Sequence, residues 1–217
     1  MSSNPALTSY EVTMLMRLAL SEAERGLKVG ELPIGCVVAV PGANGLRVLG
    51  RAHETNSSGS DGHALKMALA GSVAKMRPGE SGVVVATTVE PCDECMDLLR
   101  SAPIRQLVYG LALPSGSGEH RISLGRDSES MISIPGVMES ECRTLLSSYV
   151  DNGGHAPAAV ATAVQILRHP SMRPAAVVRE DRYAARQDTI DSAVRVQEKI
   201  QLRPGARSGL VAGRGRL

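Results

Sequence analysis

The chain has 217 residues and a mass of 22.8 kDa, 43% of them apolar and 21% charged, which suits one compact globular body with an appendage. No apolar run approaches the ~20 residues that a membrane-spanning helix needs, and the start MSSNPALTSYE lacks a basic-then-apolar leader pattern, so the expectation is a cytoplasmic protein without a membrane partner. Phe and Trp are absent and only Tyr10, Tyr109, Tyr149 and Tyr183 are aromatic, which excludes a broad base-stacking platform for single-stranded nucleic acid. The net charge of +2 divides into −3 on residues 1–150 and +5 on residues 151–217, so only the C-terminal part leans towards phosphate binding.

In chain order, residues 9–25 read as a helix that Ser9 can cap, with Val12, Leu15, Met16, Ala19 and Ala23 on one face. Residues 34–40 (IGCVVAV) form a continuous apolar run, the pattern of a buried strand, and with 46–52 across the turn PGANG they read as a hairpin. After the loop 56–62, a helix opens at His63 and runs to about Lys75. Residues 83–89 (VVVATTV) read as a fully buried strand, Pro91 starts another helix, and 106–109 makes a short fourth strand. Residues 113–130 are polar and glycine-rich, a long loop, and 136–149 read as a helix. Beyond Asp151 the composition shifts to Ala, Val and Arg, with helices expected at about 157–168 and 182–201 and a disordered Arg/Gly-rich end. The expected organisation is a body of residues 1–150 and a basic helical extension of 151–217. The order α-β-β-α-β-α-β-α predicts a three-layer α/β/α fold, a mixed central sheet with helices on both faces.

Four cysteines are present: Cys36, Cys92, Cys95 and Cys142. In such a chain a disulfide framework is not expected. Cys36 and Cys142 sit in apolar contexts and read as core. Cys92 and Cys95 have the C-x-x-C spacing of metal or redox chemistry. They fall on the first turn of a helix just after a buried strand, and His63 falls on the first turn of another. Zinc accepts imidazole nitrogen and thiolate sulfur, and a catalytic zinc keeps three protein ligands and one open position. A helix N-terminus favours the thiolate form. His63, Cys92 and Cys95 are therefore the metal-ligand candidates, with Zn²⁺ the expected cofactor.

The segments Asp61-Gly62-His63-Ala64 and Thr88-Val89-Glu90-Pro91-Cys92-Asp93-Glu94-Cys95-Met96 resemble the zinc-dependent cytidine and nucleobase deaminase superfamily, whose signature is H-x-E…P-C-x-x-C. Within it the likeness runs to tRNA adenosine deaminases and to guanine and cytosine deaminases. Pro33-Ile34-Gly35, Ala52-His53, Gly136 to Cys142 and Leu145-Leu146-Ser147 add to the likeness, which covers roughly residues 8–150. The resemblance implies a homodimer with its pockets near the interface.

Two positions depart from the pattern. In the family a glutamate two residues after the histidine takes a proton from the attacking water and passes it to the ring nitrogen and the departing ammonia; here that position is Leu65. Positioned acid–base catalysis is worth ~10²–10⁴-fold, and two thiolates neutralise much of the charge on a zinc ion, so the loss weighs against efficient deamination. After His53 the family pattern carries an asparagine that binds substrate; here it is Glu54, followed by a short loop to His63. Glu54 is the candidate for a displaced catalytic carboxylate, and His53, Glu54 and Leu65 are the candidates for contact with substrate. Asp93 and Glu94 read as solvent-facing or helix-capping, Glu90 as holding the turn before Pro91, and Asp61 as capping the helix that His63 opens. Three functions remain open: a zinc hydrolase acting on an amino-substituted small heterocycle with an altered proton shuttle; a catalytically inactive zinc-binding homologue serving as a regulatory subunit; and a tRNA adenosine deaminase or its partner, which the acidic body disfavours.

Overall fold

A computed structural model describes residues 7–42, 45–55, 61–77, 80, 82–114 and 131–170. All lie in a compact unit, 1–178; of a second unit, 179–217, none is among the described residues. The expected helix at 182–201, the Arg/Gly-rich end and most of the expected loop 113–130 therefore lie outside them.

Helix α1 spans Ser9–Lys28 and buries Val12, Leu15, Met16, Ala19 and Ala23, the stripe that its spacing predicts. Thr8, not Ser9, caps it. The Thr8 hydroxyl accepts from the Glu11 N–H at 3.2 Å, and the Glu11 carboxylate accepts from the Thr8 N–H at 2.9 Å. That reciprocal box needs an acid three residues on; Ser9 has Val12 there. The helix runs to Lys28 because the Val29 N–H still finds the carbonyls of Gly26 and Leu27.

The strands are β1 (Gly35–Gly42), β2 (Gly45–His53), β3 (Val83–Val89), β4 (Ile104–Leu111) and β5 (Ile132–Ile134), in the sheet order β2-β1-β3-β4-β5. β1 pairs antiparallel with β2 and β3, while β3–β4 and β4–β5 are parallel. Alternate residues of one strand enter different cores, which is why the strands read as unbroken apolar runs. Val37, Ala39, Val84 and Ala86 pack with α1 and with the later helices α4 (Glu139–Asp151) and α5 (Pro157–Arg168). Cys36, Val38, Val83 and Val85 pack on the other face, with α2 (Ala64–Val73) and α3 (Asp93–Ser101). The architecture is α/β/α around a mixed sheet.

Three differences from the sequence reading have local causes. β5 was not expected; three residues are too short a run to show a period. β4 is longer than 106–109, extending from Ile104 through Leu111. α4 starts at Glu139 rather than 136, because Gly136 (φ 73°) and Met138 (φ 51°) adopt the left-handed conformation, which a right-handed helix cannot include.

Gly35 fixes how closely α1 lies on the sheet. A Cβ there would stand 2.0 Å from the Ala19 carbonyl oxygen and 2.6 Å from the Ala23 nitrogen. Neither backbone atom can yield without moving α1. Gly35→Ala is expected to destabilise the chain by about 2–3 kcal/mol, read as a lower denaturation midpoint; an unchanged midpoint would contradict this packing.

Candidate metal centre

The site is built where β3 leaves the sheet. Cys92 is the N-cap of α3 and Cys95 lies one turn on; His63 is the N-cap of α2. The two helix starts meet, so that the ligand atoms of His63, Cys92 and Cys95 all lie within 4.8 Å of one another. His63 Nδ1 is 3.3 Å from Cys95 Sγ and 3.5 Å from Cys92 Sγ. A tetrahedral zinc with ordinary Zn–N and Zn–S bonds separates nitrogen from sulfur by about 3.6 Å. The donor set and its spacing therefore fit zinc, with a fourth position left for a non-protein ligand.

The electrostatics agree. Cys92 is held down to about 4 by hydrogen bonds first with Cys95 and then with His63. Cys95 is pushed up by that same hydrogen bond, then by burial, since a second thiolate beside the first is opposed until a cation joins them. His63 is raised by its hydrogen bond to Cys92, with Glu54 adding to this and burial opposing it. Cys36 and Cys142 are buried in the two cores, and burial raises both thiols, Cys142 to about 12. They are core residues, as their apolar contexts predicted.

Around the cluster lies a cavity of about 320 Å³ whose wall includes Glu54, Leu65, Thr87 and Glu90. Glu54 leaves β2 with its N–H donating to the Ile34 carbonyl at 2.8 Å. Its Oε2 accepts the Ala64 N–H at 2.9 Å, and its Oε1 lies 3.8 Å from His63 Nε2. Burial raises the Glu54 carboxyl; the Ala64 N–H and His63 pull the other way. Leu65 is 4% exposed, on the first turn of α2, and lines the cavity with an apolar side chain that has no proton to give or take.

His53 is placed elsewhere. Its ring packs on Gly26 and its Nδ1 is 3.9 Å from Glu22 Oε2; it is not among the cavity-lining residues. Glu22, 2% exposed, also pairs with Arg25 and Arg51, each at 3.2 Å, and so fastens the end of β2 to α1. The sequence signal for it was an acid on the apolar stripe of α1.

Two other acids differ from expectation. Asp61 does not cap α2; it lies 3.6 Å from Lys66 Nζ, while the open N–H of Ala64 goes to Glu54. Glu90 holds the exit of β4: its N–H donates to the Leu111 carbonyl at 2.7 Å and its Oε2 accepts from Leu113 N–H at 2.8 Å. Asp93 and Glu94 are exposed on the first turn of α3, as expected. The feature missed entirely is a stretch of cavity wall from Ala156 and α5. No motif marks it.

The fold and this cluster define a zinc-binding deaminase-like domain. Residues 10–111 match the cytidine and deoxycytidylate deaminase zinc-binding region. The chain is 33% identical over 108 residues to a tRNA-specific adenosine deaminase of Agrobacterium fabrum, covering 49% of this chain and 69% of that protein. It is 26% identical over 161 residues to a tRNA-specific adenosine deaminase of Streptococcus pyogenes serotype M18, covering 66% of this chain and 92% of the relative. A solved structure from studies of A-to-I editing by tRNA:A34 deaminases superposes with a TM-score of 0.53 at 28% identity, over 61% of this chain and 99% of that one. The chain belongs to the zinc-dependent cytidine and nucleobase deaminase superfamily. Among the described residues no helix is long and apolar enough to cross a membrane.

Proposed function

We propose that the chain is a zinc-dependent hydrolase that removes the amino group from an amino-substituted heterocycle, a free base, nucleoside or related small molecule. His63, Cys92 and Cys95 are its metal ligands, and Glu54 is its proton carrier. When bound, zinc supplies Lewis-acid activation of water. Glu54 takes a proton as the water oxygen bonds to the amino-bearing carbon. It gives that proton to the ring nitrogen, then carries the remaining hydroxyl proton to the amino group; the C–N bond breaks and ammonia leaves. Leu65 keeps one wall dry.

The observation that carries this reading is the Glu54 carboxylate, which lines the same cavity as the two sulfurs and has one oxygen held by Ala64 and the other beside His63. The relatives named above are tRNA-specific adenosine deaminases, and the adenine of adenosine is an amino-substituted heterocycle. The net −3 of residues 1–150 favours a small molecule over a polyanion.

A second reading, a non-catalytic zinc-binding homologue acting as a regulatory subunit or as partner of a tRNA adenosine deaminase, is favoured by the methyl groups of Leu65 at the usual glutamate position. The two separate on ammonia release from the zinc-loaded full chain, offered bases, nucleosides, pterin-like heterocycles and tRNA. The hydrolase reading expects release from at least one small heterocycle, lost in Cys92→Ala. Zinc bound without release from any of them would overturn it. Activity appearing only in Leu65→Glu would likewise support the subunit reading.

A further inference from the structure

The zinc cavity has a wall that the matched family region does not supply. α5 lies beyond the matched residues 10–111, yet Ala158, Ala159, Thr162 and Ile166 on it line the cavity that holds the His63–Cys92–Cys95 cluster. This wall is fastened at both ends. At its N-terminal end the His155 ring packs directly on the backbone of Gly30, whose φ is +80°; a Cβ there would lie 2.0 Å from His155 Nδ1. At its C-terminal end Arg143 of α4 donates to the Leu167 carbonyl at 2.8 Å and to the His169 carbonyl at 3.3 Å, and is itself held by Glu139 at 2.8 Å. Carbonyls at a helix end have no partner within the helix, so this one guanidinium both closes the helix and pins it. Between the two ends Ala159, Ala163 and Ile166 are buried in the core shared with α1 and α4.

What α5 shows the cavity is specific. Ala158 and Thr162 are one turn apart on the same face. Both are exposed, so a ligand in the cavity can reach them. The Thr162 hydroxyl donates its one hydrogen to the Ala158 carbonyl at 3.0 Å. A hydroxyl has one donor and two acceptor positions, so towards a ligand Thr162 can only accept. The cavity, about 320 Å³, is near the lower end of the ~300–1,000 Å³ typical of small-molecule sites.

We propose that α5 is the substrate-selecting wall of this pocket. Ala158 sets the size of heterocycle admitted, and Thr162 accepts a hydrogen bond from an N–H of the substrate. The ligand class is an amino-substituted aromatic heterocycle of purine or pyrimidine size, free or as a nucleoside, with an N–H donor besides the amino group that is removed. The choice of ligand rests on the deaminase reading above; the wall itself is tested by binding.

The test uses the zinc-loaded full chain and the fluorescence of 2-aminopurine and of its riboside. Ala158→Leu is expected to weaken the riboside about tenfold or more, and the free base less, because added side-chain volume excludes the larger ligand first. Thr162→Val is expected to weaken the free base, which has a ring N–H besides its amino group, by about three- to tenfold, with Thr162→Ser, which keeps the acceptor, restoring most of the loss; the riboside, which lacks that N–H, is expected to bind Thr162→Val as it binds the parent chain. Ala161→Leu adds the same bulk to the same helix but away from the cavity, and is expected to bind as the parent chain does. The proposal is overturned if the parent chain binds neither ligand, if Ala158→Leu and Thr162→Val bind as it does, or if Ala161→Leu is as harmful as Ala158→Leu. Binding that responds to these variants without ammonia release would sink the deaminase reading and keep the wall. Release with binding that ignores the variants would sink the wall alone.

Discussion

Glu54→Gln is expected to abolish ammonia release while zinc stays bound and the fold stays intact. Glutamine has nearly the shape of glutamate, and its carbonyl oxygen can still accept the Ala64 N–H that Glu54 Oε2 accepts at 2.9 Å. The start of α2 therefore keeps its support. An amide cannot take and return a proton, so the rate should fall by ~10²–10⁴-fold. Glu54→Ala should lose turnover as well, and in addition leave the Ala64 N–H without its partner at a cost of about 1–3 kcal/mol. The comparison is made on turnover rate, zinc content by elemental analysis and melting temperature. A glutamine variant with turnover close to that of the parent chain would remove Glu54 from proton transfer and leave it a positioning residue for His63. If Leu65→Glu restores the rate in the Glu54→Gln background, a carboxylate is what the pocket lacks and either position can supply it.

Cys95→Ala is expected to empty the metal site and lower the melting temperature. Cys95 is 3% exposed and contributes one of the two sulfurs, 3.3 Å from His63 Nδ1. Removing it leaves one thiolate and one imidazole, too few to hold zinc against buffer. A ligand that binds only the folded chain stabilises it by RT ln(1 + [L]/Kd), about 4 kcal/mol at a thousandfold excess over Kd. The alanine chain forfeits that stabilisation, and the parent chain treated with a chelator should melt at a similar temperature. Cys36→Ala is the control, since Cys36 lies in the α2/α3 core outside the three-residue cluster and should leave zinc content unchanged. Full zinc content in Cys95→Ala, with an unchanged melting temperature, would refute the ligand assignment.

Much of this molecule was written in local pattern. β1 and β3 read as buried strands because helices cover both faces of the sheet, so every residue of Val83–Val89 is buried. The three metal-binding candidates were legible because two of them are three residues apart on one helical turn and each group sits at a helix start, where the backbone itself favours an anion. The α5 bounds were legible too, since Pro157 marks its first turn and apolar residues recur at helical spacing through Ile166.

What sequence pattern alone determined was thus the described elements other than β5, the covered sheet and the metal donors, all of which depend on residues within a turn or a strand of one another. The tertiary structure decided the rest. It brought Glu54 to the N–H of Ala64, ten residues on, although Asp61 is the nearer acid in sequence. It set His53 against Glu22 across α1 and β2, away from the cavity. It laid α5 along a pocket whose ligands lie some sixty to a hundred residues earlier in the chain. The reason is physical: hydrogen bonding and side-chain period act over a few residues and leave a readable mark in the chain. The approach of distant segments follows from how whole faces pack, and that is a property of no short stretch.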